Sequence, residues 1–113
     1  MESEYPKLVR DNIPDIIKEK DRFEPTYRIL EDDAEFLVAL LKKITEEAAE
    51  LECSIENENT EEELADLLEL IETTTTLLGK TSEDIKNIQK EKREKRGGFE
   101  KRILMDEPRK PQS

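Results

Sequence analysis

A chain of 113 residues with 34% hydrophobic and 4% aromatic residues makes one domain at most, and its own core is thin, so partner chains are expected. A net charge of −11 argues against general nucleic-acid binding, which needs a positive field, and equally against docking on an anionic membrane surface. Charged residues make up 43% of the chain, yet the apolar residues are periodic rather than scattered, which predicts a folded helical protein with ragged ends.

The first residues contain no apolar core of signal-peptide length, and no stretch approaches the ~20 apolar residues of a membrane span. A cytoplasmic protein is expected. Pro14 suits the first turn of a short helix that runs through Ile16 and Ile17 to about Lys20. Phe23 to Leu30, with Pro25 inside, reads as an extended connector. A long helix then starts at Asp32 or Asp33 and runs to about Ile55. The turn falls at Asn57 to Asn59, with Thr60 as the N-cap of the next helix and Gly79 as its stop near Leu78. In the run from Thr73 to Thr76, hydroxyls bonded back to the preceding turn would let β-branched residues stay helical at a tight contact. Thr81 or Ser82 opens a third long helix, broken by Gly97 and Gly98. The expected organisation is one helical domain over residues 1–104 and a disordered tail over 105–113, where Pro108 and Pro111 lie.

The two central helices each carry an apolar face: Leu37, Leu40, Leu41, Ile44, Ala48, Leu51 and Ile55 on the first, Leu64, Leu67, Leu68, Ile71, Thr75 and Leu78 on the second. At ~100° per residue, Glu47 and Glu50 lie to one side of the first face, and Glu63 and Asp66 lie at nearly the same offset from the second. Each pair also stands at a similar distance from the turn. In an antiparallel hairpin, therefore, all four acids converge. Glu46 falls opposite the apolar stripe. Four close carboxylates need a cation, and oxygen-only donors favour Mg²⁺, with Mn²⁺ as a substitute. A bland alternative exists for each acid: Glu63 stands three residues after Thr60 as in a capping box, and the others fit a solvated helix surface.

Other chemistries are excluded by what the chain lacks. It has no histidine, which removes histidine-ligated zinc, the Glu-x-x-His di-iron site and a Ser-His-Asp triad. The single cysteine, Cys53, cannot form an internal disulfide and has no base to activate it. Charge is segregated. Sixteen acids face Lys42 and Lys43 between Glu31 and Glu72, whereas eight basic residues stand between Lys86 and Arg102 against Glu91, Glu94 and Glu100. That division suits a metal-bound polyanion as ligand, and Mg²⁺ is normally shared with phosphate oxygens. A di- or triphosphate is therefore the implied substrate, with hydrolysis the expected outcome and basic residues near the Gly97 and Gly98 break available to the leaving pyrophosphate.

The pattern Glu46-Glu47-x-x-Glu50 followed by Glu63-x-x-Asp66 resembles the signature of the MazG-like nucleotide pyrophosphohydrolases, a superfamily that includes phosphoribosyl-ATP pyrophosphohydrolase. The flanks Lys7-Leu8-Val9-Arg10-Asp11-Asn12-Ile13-Pro14 and Lys95-Arg96-Gly97-Gly98-Phe99-Glu100-Lys101-Arg102-Ile103-Leu104 resemble the ends of a small branch of that superfamily, except that Asn12 stands where lysine is common. The resemblance implies an all-α fold whose helical hairpin completes a four-helix bundle by forming a homodimer or homotetramer. It implies Mg²⁺-dependent cleavage of nucleoside triphosphates to monophosphate and pyrophosphate, with the clearing of abnormal or surplus nucleotides as the expected role. Glu47, Glu50, Glu63 and Asp66 match the family's metal ligands, with Glu47 and Glu50 the catalytic pair and Glu46 either holding a further metal or orienting water. Arg10, Lys92, Arg96 and Lys101 are the implied phosphate contacts. Two alternatives stay open: a non-catalytic helical interaction module, and phosphoribosyl-ATP hydrolysis.

Overall fold

The structure is a computed structural model that describes residues 5–112, and among these every regular element is helical. The chain divides into two compact units, the first ending at Ser82 and the second beginning at Glu83.

In the first unit, α1 (Ile13–Ile16) has Pro14 in its opening turn, where a missing amide costs nothing, and passes directly into a π-helical turn at Ile17–Asp21. Residues 22–31 carry no helix or strand. α2 (Asp33–Cys53) is capped by Asp32, whose carboxylate accepts the Glu35 amide at 3.0 Å. It tightens into a 3₁₀ turn at Ser54–Asn57, and Glu58 at φ 58° turns the chain back. α3 (Thr60–Leu77) follows, with Asn59 as its N-cap residue. The chain then ends α3 in a Schellman motif: the Lys80 amide donates to the Thr75 carbonyl and the Gly79 amide to Thr76, both at 3.0 Å. Gly79 takes φ +75° there, as that closure demands.

α2 and α3 pack along each other as the hairpin. Leu37, Leu40, Ile44 and Leu51 of α2 are buried or half-buried, as are Leu67, Leu70 and Leu77 of α3. Only one apolar side chain in the described chain, Leu40, is fully enclosed, at 1% exposure. The expected apolar faces are therefore split. Leu67 and Thr75 turn inward, but Leu64, Leu68, Ile71 and Leu78 are exposed, as are Leu41 and Ile55 on α2. The hairpin seam runs along one edge of each apolar face and leaves the other edge open. All four threonines of residues 73–76 donate their hydroxyls to the carbonyls one turn back, at 2.7 to 3.2 Å, as expected for a β-branched run held helical by local bonds.

The second unit contains α4 (Ser82–Arg96, its first residue shared with the first unit's end), whose side chains are exposed throughout. Gly97 at φ +82° ends it, and Arg93 reaches past the break to Glu100 at 2.5 Å. Residues 103–112 carry no regular structure. No described helix is long and apolar enough to cross a membrane.

Candidate metal centre

The hairpin seam sets the site. Glu47 follows Leu40 and Ile44 along the inward stripe of α2, so helical periodicity carries a carboxylate into the interior, where only 7% of the residue is exposed. Glu63 enters from the first turn of α3. The turn between them is drawn in by Ser54, whose hydroxyl lies 2.7 Å from the Leu51 carbonyl and 3.0 Å from the Thr60 hydroxyl. That engagement replaces the capping box that Thr60 and Glu63 suggested. The Thr60 hydroxyl is committed to Ser54, and the Glu63 Oε1 accepts from the Asn59 amide group at 3.5 Å.

Oxygens of Glu47, Glu50 and Glu63 all lie within 4.8 Å of one another. Glu47 Oε1 stands 3.6 Å from the Lys43 ammonium, but its Oε2 is buried with no hydrogen-bond partner among the described residues, and Glu63 Oε2 is in the same condition. Burial pushes the Glu47 carboxyl above its usual range, and the facing Glu63 adds to the rise while Lys43 opposes it. Glu50 is exposed as a residue, yet its carboxyl is also raised, first by desolvation where it meets the seam and then by Glu47. Three carboxylates and two orphaned buried oxygens form a site of high negative potential built of hard donors only. That donor chemistry fits Mg²⁺ or Mn²⁺ and gives a soft metal nothing to bind.

The fourth expected ligand is differently engaged. Asp66, one turn beyond Glu63, accepts a 2.6 Å hydrogen bond from Arg10. The same contact raises the Arg10 guanidinium above its ordinary value, with Glu69 and Glu47 adding to the field around it. Comparison with protein-family models, with curated proteins and with solved structures gives no match to this chain. The chemistry of the centre therefore has to be argued from its own atoms.

Glu46 lies outside the cluster, on the exposed flank of α2, 3.7 Å from Lys43. Lys92, Arg96 and Lys101 belong to the second unit and are all exposed. Sequence reasoning passed over Lys43, although its spacing of three and four residues before Glu46 and Glu47 is the signal for such a contact. Of the aromatic residues, Tyr5 and Phe23 line one open cleft together with Ile17, Asp21, Pro25 and Thr26.

Proposed function

We propose that this protein is a Mg²⁺-dependent nucleotide pyrophosphohydrolase that cuts nucleoside triphosphates, or a related nucleotide, between the α- and β-phosphates. The carrying observation is Glu47: an almost fully buried carboxylate whose Oε2 has no hydrogen-bond partner among the described residues and which shares a cluster with the carboxylates of Glu50 and Glu63. Taking that charge out of water is costly, Lys43 stands near only one of its two oxygens, and a cation held among the three acids would relieve the rest. The spacing of the acids, which resembles the MazG-like signature, supports the same reading.

Glu47, Glu50 and Glu63 would hold the ion, with Asp66 as a fourth ligand adjoining them. Bound there, Mg²⁺ would neutralise phosphate charge and make an adjacent water more acidic. The chain's own part is then to orient and to move a proton. Lys43 holds Glu47 by Oε1, and Oε2 is left buried without a partner among the described residues. Glu50, the exposed member, takes the proton of the attacking water. The water oxygen bonds to the α-phosphorus, the bond to the bridging oxygen breaks, and pyrophosphate leaves from a nucleoside monophosphate.

The exposed edge formed by Leu64, Leu68 and Ile71 supports assembly with further copies, as a homodimer or homotetramer in which a second hairpin completes a four-helix bundle. A cytoplasmic enzyme is in keeping with the lone, exposed Cys53. That same exposed edge also favours a second reading, a non-catalytic helical module that binds a partner helix. The deciding experiment is product analysis with and without Mg²⁺ on a panel of standard and modified nucleoside triphosphates plus phosphoribosyl-ATP. Metal-dependent release of pyrophosphate and monophosphate, lost in Glu50→Gln, establishes the reaction. Absence of turnover together with absence of any Mg²⁺ effect on melting selects the interaction module.

A further inference from the structure

Arg10 reaches the acidic seam from the segment before α1, 56 residues away in sequence from the carboxylate that it holds. Its Nη2 lies 2.6 Å from Asp66 Oδ1, and both side chains keep much of their exposure, 58% and 39%. A solvent-exposed pair of this kind is weak, so it is readily exchanged for a better partner. A guanidinium fork fits phosphate oxygens as well as carboxylate oxygens, and a polyphosphate offers more charge than one aspartate. Asp66 is one turn from Glu63 and close enough for its charge to act on Glu47. The cluster is therefore three carboxylates with a fourth tied back beside it.

We propose that Arg10 is a ligand-released latch on Asp66: without nucleotide it holds the aspartate out of the Glu47, Glu50 and Glu63 cluster, and an arriving polyphosphate takes over the guanidinium and frees Asp66 for the cation. This inference rests on the metal-dependent reading above and adds to it a coupling between the two ligands. A cation alone meets three carboxylates and a competing positive charge, whereas a cation arriving with phosphate meets four carboxylates. Each ligand then strengthens the other's binding by the same factor. The latch favours the loaded nucleotide over the free ion, and it makes Arg10 a positioning residue for Asp66 before it becomes a phosphate contact.

The test uses the full chain and two probes: Mn²⁺ alone, followed by the magnetic resonance signal of the free ion, and preformed Mn²⁺–tripolyphosphate, followed by calorimetry. Wild type, Arg10→Gln, Asp66→Asn and the double variant are compared, with the helical dichroism signal as a folding control. Arg10→Gln is expected to bind Mn²⁺ alone about fivefold more tightly, the lower end of ordinary coupling, and to bind the tripolyphosphate complex about fivefold more weakly. The gain for Mn²⁺ alone is expected to vanish when Asp66 is already Asn. Unchanged Mn²⁺ affinity in Arg10→Gln, or a gain that persists without the Asp66 charge, overturns the latch and leaves the metal site standing. Failure of the wild type to bind Mn²⁺ with either probe overturns both.

Discussion

Glu47 and Glu63 meet across the α2 and α3 seam, each with its Oε2 buried and without a hydrogen-bond partner among the described residues. Two like-charged groups in that position oppose folding, and they do so near the bend of a hairpin with very little apolar core to offset them. The site thus carries its own cost in the metal-free chain, and that cost is measurable.

Divalent cation is expected to raise the melting temperature. For a ligand that binds only the folded chain, the gain is about 2.7 kcal/mol at a hundredfold excess over Kd. Thermal melts in Mg²⁺ or Mn²⁺ against a chelator check it, and Glu63→Gln is expected to abolish most of the shift.

Replacing Glu47 by Gln is expected to stabilise the metal-free protein by about 1 kcal/mol, because it removes a buried charge and its repulsion with Glu63 while keeping the side chain's shape. The same variant is expected to lose the cation's effect and all turnover. Chemical denaturation in chelator reads the first result, and melting with Mn²⁺ reads the second.

The pH dependence has a definite sign. Glu47 and Glu50 are both raised above 4.5 in the folded chain, so between 4.5 and their raised values the native state binds more protons than the unfolded state. Their contribution to metal-free stability is complete below 4.5 and is lost as pH rises through that window. Metal affinity runs the other way and strengthens with pH, since the ligands must be deprotonated. Denaturation midpoints against pH in chelator, compared between wild type and Glu47→Gln, isolate this contribution, and the variant is expected to show the shallower fall.

Leu68→Glu puts a charge on the open edge of α3 without touching the seam. If copies assemble through this edge as proposed, the variant is expected to sediment as a helical monomer where the wild type sediments as a larger species. If wild type and variant sediment alike, the second hairpin is not held by this edge.

Gly79→Ala probes the helix stop. Beyond its chain neighbours nothing lies within 4 Å of the added methyl group, so the effect comes from forcing φ +75° on a residue with a Cβ. A loss of about 1 kcal/mol in denaturation is expected.

The helices were largely legible in the sequence because their ends are written in local chemistry: Asp32 as cap, Pro14 in a first turn, Gly79 and Gly97 as stops. The meeting of Glu47, Glu50 and Glu63 was legible for the same kind of reason, since one period and one turn length determine it. The choice of seam was not. Leu64, Leu67, Leu68 and Leu70 lie on adjoining lines of one helix, and hydropathy alone does not say which line meets α2 and which stays open. Nor was the Arg10 contact with Asp66 legible, because no local period links two residues so far apart.

The hydroxyls of Ser54 and Thr60 lie 3.0 Å apart across the bend, so the short stretch between them acts as a phase setter for the hairpin. A residue added to or removed from that stretch would part the two hydroxyls and change how α3 is phased against α2. Glu63 would then swing away from Glu47, while every helix kept its composition and length. The spacing between two small hydroxyl residues, which take no part in the chemistry, governs whether the carboxylates form a centre at all.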